Sequence, residues 1–258
     1  MIKRLILVCM VVLVSAPYVS AQLWKMKRYE AAAGLGTSQF YGDVGGYTIG
    51  ENALGLKDIT FKQTRFNVSG SFRYFITDEI AARLCLSYLM LHATDERGNN
   101  QARGYEATAS IFEPSLLGEY YFVRNRERNS FLFQTYRGRS RNRVKDFFRS
   151  IDVYTFTGVG GAGYRVNAND RLEERWNSPG SDLDNRGFTA VIPLGVGAKL
   201  TFDPNILFGV EFAGRYAFSD YLDGYTSQWS KRSDVYHTFS LTFNYRIKTA
   251  RNGLPSFR

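Results

Sequence analysis

Residues 235–247 read VYHTFSLTFNYRI, and apolar and polar side chains alternate along this stretch with a period of two. Val235, Phe239 and Leu241 fall on one face of an extended chain, with Thr238 and Ser240 on the other. Such alternation is typical of a β-strand whose two faces meet different surroundings. This stretch therefore predicts a long two-faced strand near the end of the chain.

The same pattern recurs along the rest of the sequence. It is clear at residues 65–74, 80–90, 188–200 and 206–218, and weaker at 30–42, 105–123 and 151–166. Together with the stretch at 235–247 these segments make eight strands, many of them about 10 to 14 residues long. Strands in soluble sheets usually have about 5–6 residues, whereas a tilted strand that crosses a bilayer needs about 9–11. The lengths favour strands that span a membrane.

The two faces of these strands differ in a way that a soluble sandwich does not explain. The apolar faces carry aromatic residues near the strand ends, as the girdles of membrane barrels do: Tyr74, Tyr120, Phe122, Tyr164, Tyr216, Phe218 and Tyr245. The opposite faces carry nine charged residues: Arg65, Arg73, Arg83, Glu113, Glu119, Arg165, Lys199, Glu211 and Arg215. Because so many charges would be too costly in a dry core, the sequence predicts an all-β fold, an eight-stranded antiparallel transmembrane β-barrel of the OmpA-like kind. Its apolar side chains would face lipid, and its charges would pair inside.

The N-terminus has the features of an export signal. Lys3 and Arg4 precede an apolar stretch at 5–14, and Val19-Ser20-Ala21 supplies small residues for a signal peptidase. Ten apolar residues are too few to cross a bilayer as a helix. We therefore expect a signal peptide at 1–21 and a barrel at 22–258, in the cell outer membrane. The alternative is an N-terminal hydrophobic strand.

The lengths of the connections predict the orientation. The connections at 77–79 and 203–205 are short, whereas those at 43–63, 93–104, 167–186 and 219–233 are longer. Outer-membrane barrels have short periplasmic turns and longer outer loops, so we expect both short turns and both termini to be periplasmic. Successive connections of an antiparallel barrel lie at alternate ends, so the connection at 125–150 is also predicted to be periplasmic, although it is the longest of all.

Residue types that could carry catalysis or bind a cofactor have simpler explanations. GVGGAG at 158–163 matches a dinucleotide-binding fingerprint, but the strand pattern continues where a helix would have to begin. His92 and His237 lack a serine and a carboxylate at a catalytic spacing. Cys85 falls on the inward face of its strand, where we expect a packing role. We expect no enzyme activity, no cofactor and no metal site.

The connection at 125–150 is the main candidate for a functional site. The sequence RNRERNSFLFQTYRGRSRNRVKDFFR at 124–149, here called the basic segment, has a net charge of +7, whereas the whole chain of 258 residues has +9. The nine cations are Arg124, Arg126, Arg128, Arg137, Arg139, Arg141, Arg143, Lys145 and Arg149. Interleaved aromatic residues suit an interface with an acidic protein or with anionic lipid headgroups. The alternative is a solvated loop that tolerates arginine. Nucleic acid would also attract this charge, but the periplasm holds little of it.

Several segments resemble the PorG family, outer-membrane barrels of the type IX secretion system of Bacteroidetes. They are RYE at 28–30, GLG at 34–36, YGDVGG at 41–46, GVGGAGY at 158–164, IPLGVGAK at 192–199, FGVEFAGRY at 208–216 and FSDYLD at 218–223. The resemblance implies a barrel that associates with a periplasmic ring of the lipoprotein PorK and its partner PorN. The basic segment is longer than the turn expected in that family.

Two functions remain. In the first, the protein is a non-enzymatic component of the type IX secretion machinery that docks PorK/PorN-like subunits at the outer membrane. It would not be the conduit for cargo, because the interior of an eight-stranded barrel is just wide enough for side chains. In the second, it is a free-standing OmpA-like barrel whose outer loops bind a ligand or a host surface.

Overall fold

The computed structural model of the protein describes residues 27–41, 44, 61–96, 101–125, 130–131, 147–177, 185–219, 221–225, 234–250 and 254–256. The predicted signal peptide at 1–21 lies outside these residues, as does most of the basic segment, at 126–129 and 132–146.

The chain forms eight long antiparallel strands, each hydrogen-bonded to the next. They are β1 (Tyr29–Tyr41), β2 (Arg65–Phe75), β3 (Ile80–Thr94), β4 (Glu106–Val123), β5 (Ile151–Ala168), β6 (Arg186–Thr201), β7 (Ile206–Ala217) and β8 (Val235–Thr249). β8 also pairs with β1, from Tyr29 opposite Ile247 to Tyr41 opposite Val235, which closes the sheet into a barrel. A two-residue strand, β9 (Pro255–Ser256), pairs with the end of β8. The predicted eight-stranded antiparallel barrel is confirmed.

The two faces of the barrel have opposite character. Outward-facing apolar side chains lie exposed around the whole wall, for example Leu35 on β1, Leu116 on β4 and Phe188 on β6. Charged side chains such as Arg73 and Lys199 are instead fully buried inside. Soluble monomers rarely expose an apolar band of this extent, whereas lipid solvates it. The wall is therefore a membrane-spanning surface, as the alternation predicts.

One of the nine charges predicted to point inward does not. On β5 the even-numbered residues face the interior, so Arg165 is exposed on the outer wall and Tyr164 packs against the core at one end of the barrel. The prediction for this pair was wrong, because register with β4 and β6 fixes the parity. Arg65 lies at the rim, where its guanidinium donates to the carbonyl oxygens of Lys62 and Thr64 at 2.7 and 3.0 Å.

The connections divide the barrel into two different ends. The turn end carries the tight turns at 76–79 and 202–205 and the basic segment; the loop end carries the connections at 42–64, 95–105, 169–185 and 218–234. The predicted positions of the short turns are confirmed. Which end faces the periplasm stays a prediction.

The loop end is closed by packed side chains. A short helix, α1 (Asp170–Trp176), is capped by Asn169 and buries Leu172 in an apolar core with Leu222 and Val44. The Val44 amide donates to Asp223 Oδ2 at 3.0 Å, which ties this core together. No helix in the described ranges is long and apolar enough to cross a membrane.

Candidate functional site at the turn end of the barrel

A network of buried ions fills the half of the lumen nearest the turn end. Arg73 is at its centre and contacts Glu30, Glu119 (Nε to Oε2, 2.6 Å) and Glu211 (Nη2 to Oε1, 3.6 Å). Arg83 bridges two of these carboxylates, at 2.9 Å from Glu119 and 2.6 Å from Glu211. Because each carboxylate meets more than one cation, the charges are compensated where water is excluded.

The network continues to the mouth of the barrel. Lys199 donates to Glu30 at 2.7 Å and to the Tyr121 hydroxyl at 2.8 Å. Arg246 reaches Asp152 at 3.1 Å, and Asp152 also accepts from the Asn125 amide at 2.7 Å. The ions thus form a continuous plug from the middle of the lumen to the start of the basic segment.

A separate ion pair lies closer to the loop end. Arg215 meets Glu113 at 2.9 Å, and Glu113 also accepts from the Tyr236 hydroxyl at 2.6 Å. Between this pair and the larger network is a cavity of about 20 Å³, lined by polar side chains that include Ser87 and Ser115. That space holds about one water molecule, so the described part of the lumen contains no continuous channel.

Arg124, the first residue of the basic segment, is positioned by a β-bulge. The register between β4 and β5 shifts between Tyr121 and Val123, so Phe122 is an extra residue on the outer wall. The bulge turns Arg124 into the barrel mouth, where its guanidinium lies over the rings of Phe75 (4.4 Å) and Tyr121 (4.6 Å). It also approaches Asp152 at 3.6 Å. Simple alternation would have placed Arg124 outside; bulges re-aim side chains in this way.

The described parts of the basic segment contact the rim and the outer wall of the barrel. Ser130 Oγ donates to the carbonyl oxygen of Phe202 at 2.9 Å, in the turn between β6 and β7. Phe147 lies edge-on to Phe131, with 6.3 Å between ring centroids. Phe147 also lines a groove of about 350 Å³ on the outer wall, with Leu200 and Leu241 among the other lining residues. The segment therefore leaves and re-enters the fold beside the lipid-facing surface.

The structure describes two of the nine predicted site residues. Arg124 is largely buried in the barrel mouth, and Arg149 is exposed next to Phe148, whose side chain is 67% exposed. The other seven, Arg126, Arg128, Arg137, Arg139, Arg141, Arg143 and Lys145, lie outside the described residues. Sequence reasoning missed Glu30, Asp152 and Arg246 as members of the lumen network. The alternation indicates the inward face for Glu30 and Arg246, whereas the side that Asp152 faces follows only from the pairing of β5 with β4 and β6.

At the loop end a histidine, a hydroxyl and a carboxylate come together. His92 Nδ1 lies 3.0 Å from Thr108 Oγ1, and His92 Nε2 lies 3.5 Å from Glu106 Oε1. These residues lie in the regular β3–β4 ladder, whose backbone amides are paired across the strands. An oxyanion can be stabilised by free backbone amides or by side-chain donors, and the backbone amides of this ladder are not free. GVGGAG at 158–163 lies inside β5, which continues to Ala168 where a dinucleotide-binding motif would begin a helix.

The loop connecting β3 and β4 is held by a buried ion pair. Arg103 binds Asp95 through Nε at 2.8 Å and Nη2 at 3.0 Å, and its guanidinium lies over the rings of both Tyr105 and Tyr225, 4.8 and 4.5 Å from their centroids. Burial lowers the pKa of Arg103, but the hydrogen bond and charge of Asp95 outweigh it, so the pKa is raised above its usual value. The loop end is thus ordered by its own contacts.

These features define a class, a membrane-spanning eight-stranded β-barrel with an ion-filled lumen, one packed end and one basic end. Within that class, the chain belongs to the family described as Domain of unknown function (DUF6089), whose family model matches residues 3–242. No curated protein sequence matches the chain.

Several solved structures are similar to this barrel. The outer membrane protein OprG from Pseudomonas aeruginosa is 11% identical, with 84% of this chain and 94% of OprG covered and a TM-score of 0.44. Outer Membrane Protein W of E. coli is 16% identical, covering 85% and 97%, with a TM-score of 0.39. The outer membrane enzyme PagL is 12% identical, covering 84% and 99%, with a TM-score of 0.35.

Proposed function

We propose that this protein is a non-enzymatic outer-membrane component of the type IX protein secretion machinery that docks periplasmic ring subunits, similar to PorK and PorN, at the membrane. In this proposal the turn end and both termini are periplasmic. The single observation that carries the docking role is the basic segment, which is held to one rim of the barrel where Ser130 donates to the Phe202 carbonyl oxygen and which meets the outer wall at Phe147. The PorG resemblance supplies the identity of the partner.

The lumen supports an anchoring role over a conducting one. The ions around Arg73 and Lys199 are buried and paired, and the cavity above them has room for about one water molecule. A folded or extended polypeptide has no path through this interior. The function then depends on the two ends of the barrel, with the strands serving as a rigid anchor in the membrane.

The charge at the turn end favours an acidic partner. The basic segment accounts for +7 of the chain's formal +9. Opposite charges on two partners steer their encounter and fix their register. Phe147 and the exposed Phe148 supply aromatic surface next to this charge, and aromatic and arginine residues are the ones enriched at binding interfaces.

Co-purification from detergent-solubilised outer membranes tests the proposal. The full-length protein carries the triple substitution Arg139→Glu, Arg141→Glu and Arg143→Glu. The matched control places the same charge change at the loop end, at Lys62, Arg171 and Arg175. We expect the ring lipoprotein to co-purify with the parent and with the control, and cargo secretion to fall only in the turn-end variant. Unchanged co-purification and secretion in that variant would contradict the docking role.

The second candidate is a free-standing barrel whose loops bind a ligand or a host surface. It is favoured by the order of the loop end, where Arg103 lies over the rings of Tyr105 and Tyr225 and α1 packs Leu172 into the apolar core. Deletion of the gene separates the two candidates. Lost secretion supports docking to the ring, whereas intact secretion with altered adhesion supports surface binding.

A further inference from the structure

The outer wall has a groove that neither the lumen nor the basic segment explains. It lies near the loop end, across β4, β5 and β6, and has a volume of about 890 Å³. This is the upper range for a small-molecule site, but the groove opens sideways, towards where lipid surrounds the barrel.

Strand register arranges the groove in two rows. In the row nearer the loop end, Ser110 pairs with Arg165, which pairs with Arg186. In the row nearer the middle of the membrane, Phe112 pairs with Gly163, which pairs with Phe188. All of these residues have outward parity. A cationic row therefore lies directly above an apolar row on the surface of the same three strands.

Gly163 leaves a gap in the apolar row. A Cβ atom at Gly163 would have no neighbour closer than 4.0 Å, so the space above the glycine is open. The phenyl groups on either side, Phe112 and Phe188, are 53% and 76% exposed. The gap is thus a shallow apolar channel with an aromatic side chain on either side.

The two arginines are an unusual pair for an outward face. Arg165 and Arg186 are exposed and directly opposite each other on neighbouring strands, so both guanidinium groups can reach one ligand. An anion between the two groups would be attracted by both positive charges. Phosphate suits them especially, since arginine binds it through two parallel hydrogen bonds.

We propose that this groove binds a phosphorylated membrane lipid, with the phosphate held by Arg165, Arg186 and the Ser110 hydroxyl and one acyl chain lying over Gly163. The vertical order of the two rows matches that of the lipid, since the headgroup lies above its chains. With the orientation of the proposed function, the loop end is in the outer leaflet, and the lipid is a phosphorylated glycolipid of the lipid A type. Only this choice of leaflet rests on the proposed function.

Binding of lipid A to the purified, folded, full-length protein in detergent micelles tests the proposal by native mass spectrometry. The variants are the double substitution Arg165→Gln and Arg186→Gln, and Gly163→Val, whose side chain fills the gap. The matched control is Arg175→Gln, which removes a charge from an exposed position on α1. We expect each groove variant to weaken binding at least tenfold, about 1.4 kcal/mol, and the control to bind as the parent does.

The probes separate the sources of phosphate and the two parts of the site. Bis-phosphorylated lipid A should bind, whereas its dephosphorylated form and inorganic phosphate should bind at least tenfold more weakly. Equal binding of the dephosphorylated form, or of the double arginine variant, overturns the proposal. Gly163→Val should keep the parent's heat-modifiable migration on gels, which shows that loss of lipid is not loss of fold.

This inference and the proposed function can fail separately. Lipid binding is measured without any ring subunit, and co-purification of the ring is measured with the groove intact. Lost docking in the Arg139, Arg141 and Arg143 variant with normal lipid binding supports both proposals. Tight lipid binding by the parent with no ring subunit in any pull-down overturns the secretion role alone.

Discussion

Replacing Arg73 by methionine tests whether the lumen is held together by its ions. Arg73 is fully buried and contacts Glu30, Glu119 and Glu211. Methionine retains most of the volume but none of the charge. The substitution leaves Glu119 with Arg83, and Glu30 with Lys199 and Arg246, as their remaining cations.

Breaking a buried ion pair by removing one partner costs about 3–5 kcal/mol, because it leaves an uncompensated charge. Since the carboxylates around Arg73 keep other cations, we expect about 3 kcal/mol, the lower end of that range. The measurement is the free energy of unfolding in urea of the barrel reconstituted in lipid vesicles, followed by tryptophan fluorescence. Adding Glu119→Gln to Arg73→Met should recover about 1 kcal/mol or more, because coupled pairs are not additive.

The control is Lys62→Met, which breaks a surface ion pair of similar length. Lys62 and Glu96 are 2.6 Å apart with side chains 71% and 58% exposed, and exposed pairs contribute about 0–1 kcal/mol. If Arg73→Met destabilises the barrel no more than Lys62→Met does, the reasoning on the lumen is refuted. The reasoning would also be refuted if the double variant lost more unfolding free energy than the two single substitutions lose when their effects are added.

Three further predictions concern the wall and the mouth of the barrel. Arg124→Ala should lower the free energy of unfolding by about 2 kcal/mol, since a desolvated cation over two aromatic rings is lost; no change in urea unfolding would contradict the placement in the mouth. Phe147→Trp should add fluorescence that lipids with brominated acyl chains quench; an added signal without quenching would show that this residue does not meet lipid. Gly36→Ala should lower the refolding yield on heat-modifiability gels, because its Cβ would collide with the Phe239 carbonyl oxygen. The control Gly70→Ala has open space around its Cβ and should refold as the parent does. Equal yields for the two variants would contradict the close approach of β1 and β8.

Much of the fold could be predicted from the sequence because a strand's period of two is a local property. Strongly alternating segments such as β3 and β8 have the expected faces and nearly the expected bounds. β5 was assigned the wrong parity at Tyr164 and Arg165, where the neighbouring glycines of GVGGAG have no side chains to indicate a face. Only pairing with β4 and β6 decides which side of that strand is inside.

The candidate site could be predicted only in its composition. The positive charge and the aromatic residues of the basic segment are readable in the chain, but the bulge at Phe122 that turns Arg124 inward depends on where β4 pairs with β5. The outer groove escaped sequence reasoning for the same reason, since Arg165 and Arg186 are 21 positions apart and meet only through register.

By itself, the order of residues determines that the chain forms long strands with one apolar and one polar face, and that such strands need a lipid exterior. The closure of β1 on β8 decides the rest. It brings Glu30 on β1 and Lys199 on β6, from distant parts of the chain, within ion-pair distance across the lumen. Electrostatic interactions depend on distance in space, and sequence separation does not set that distance until the barrel is closed.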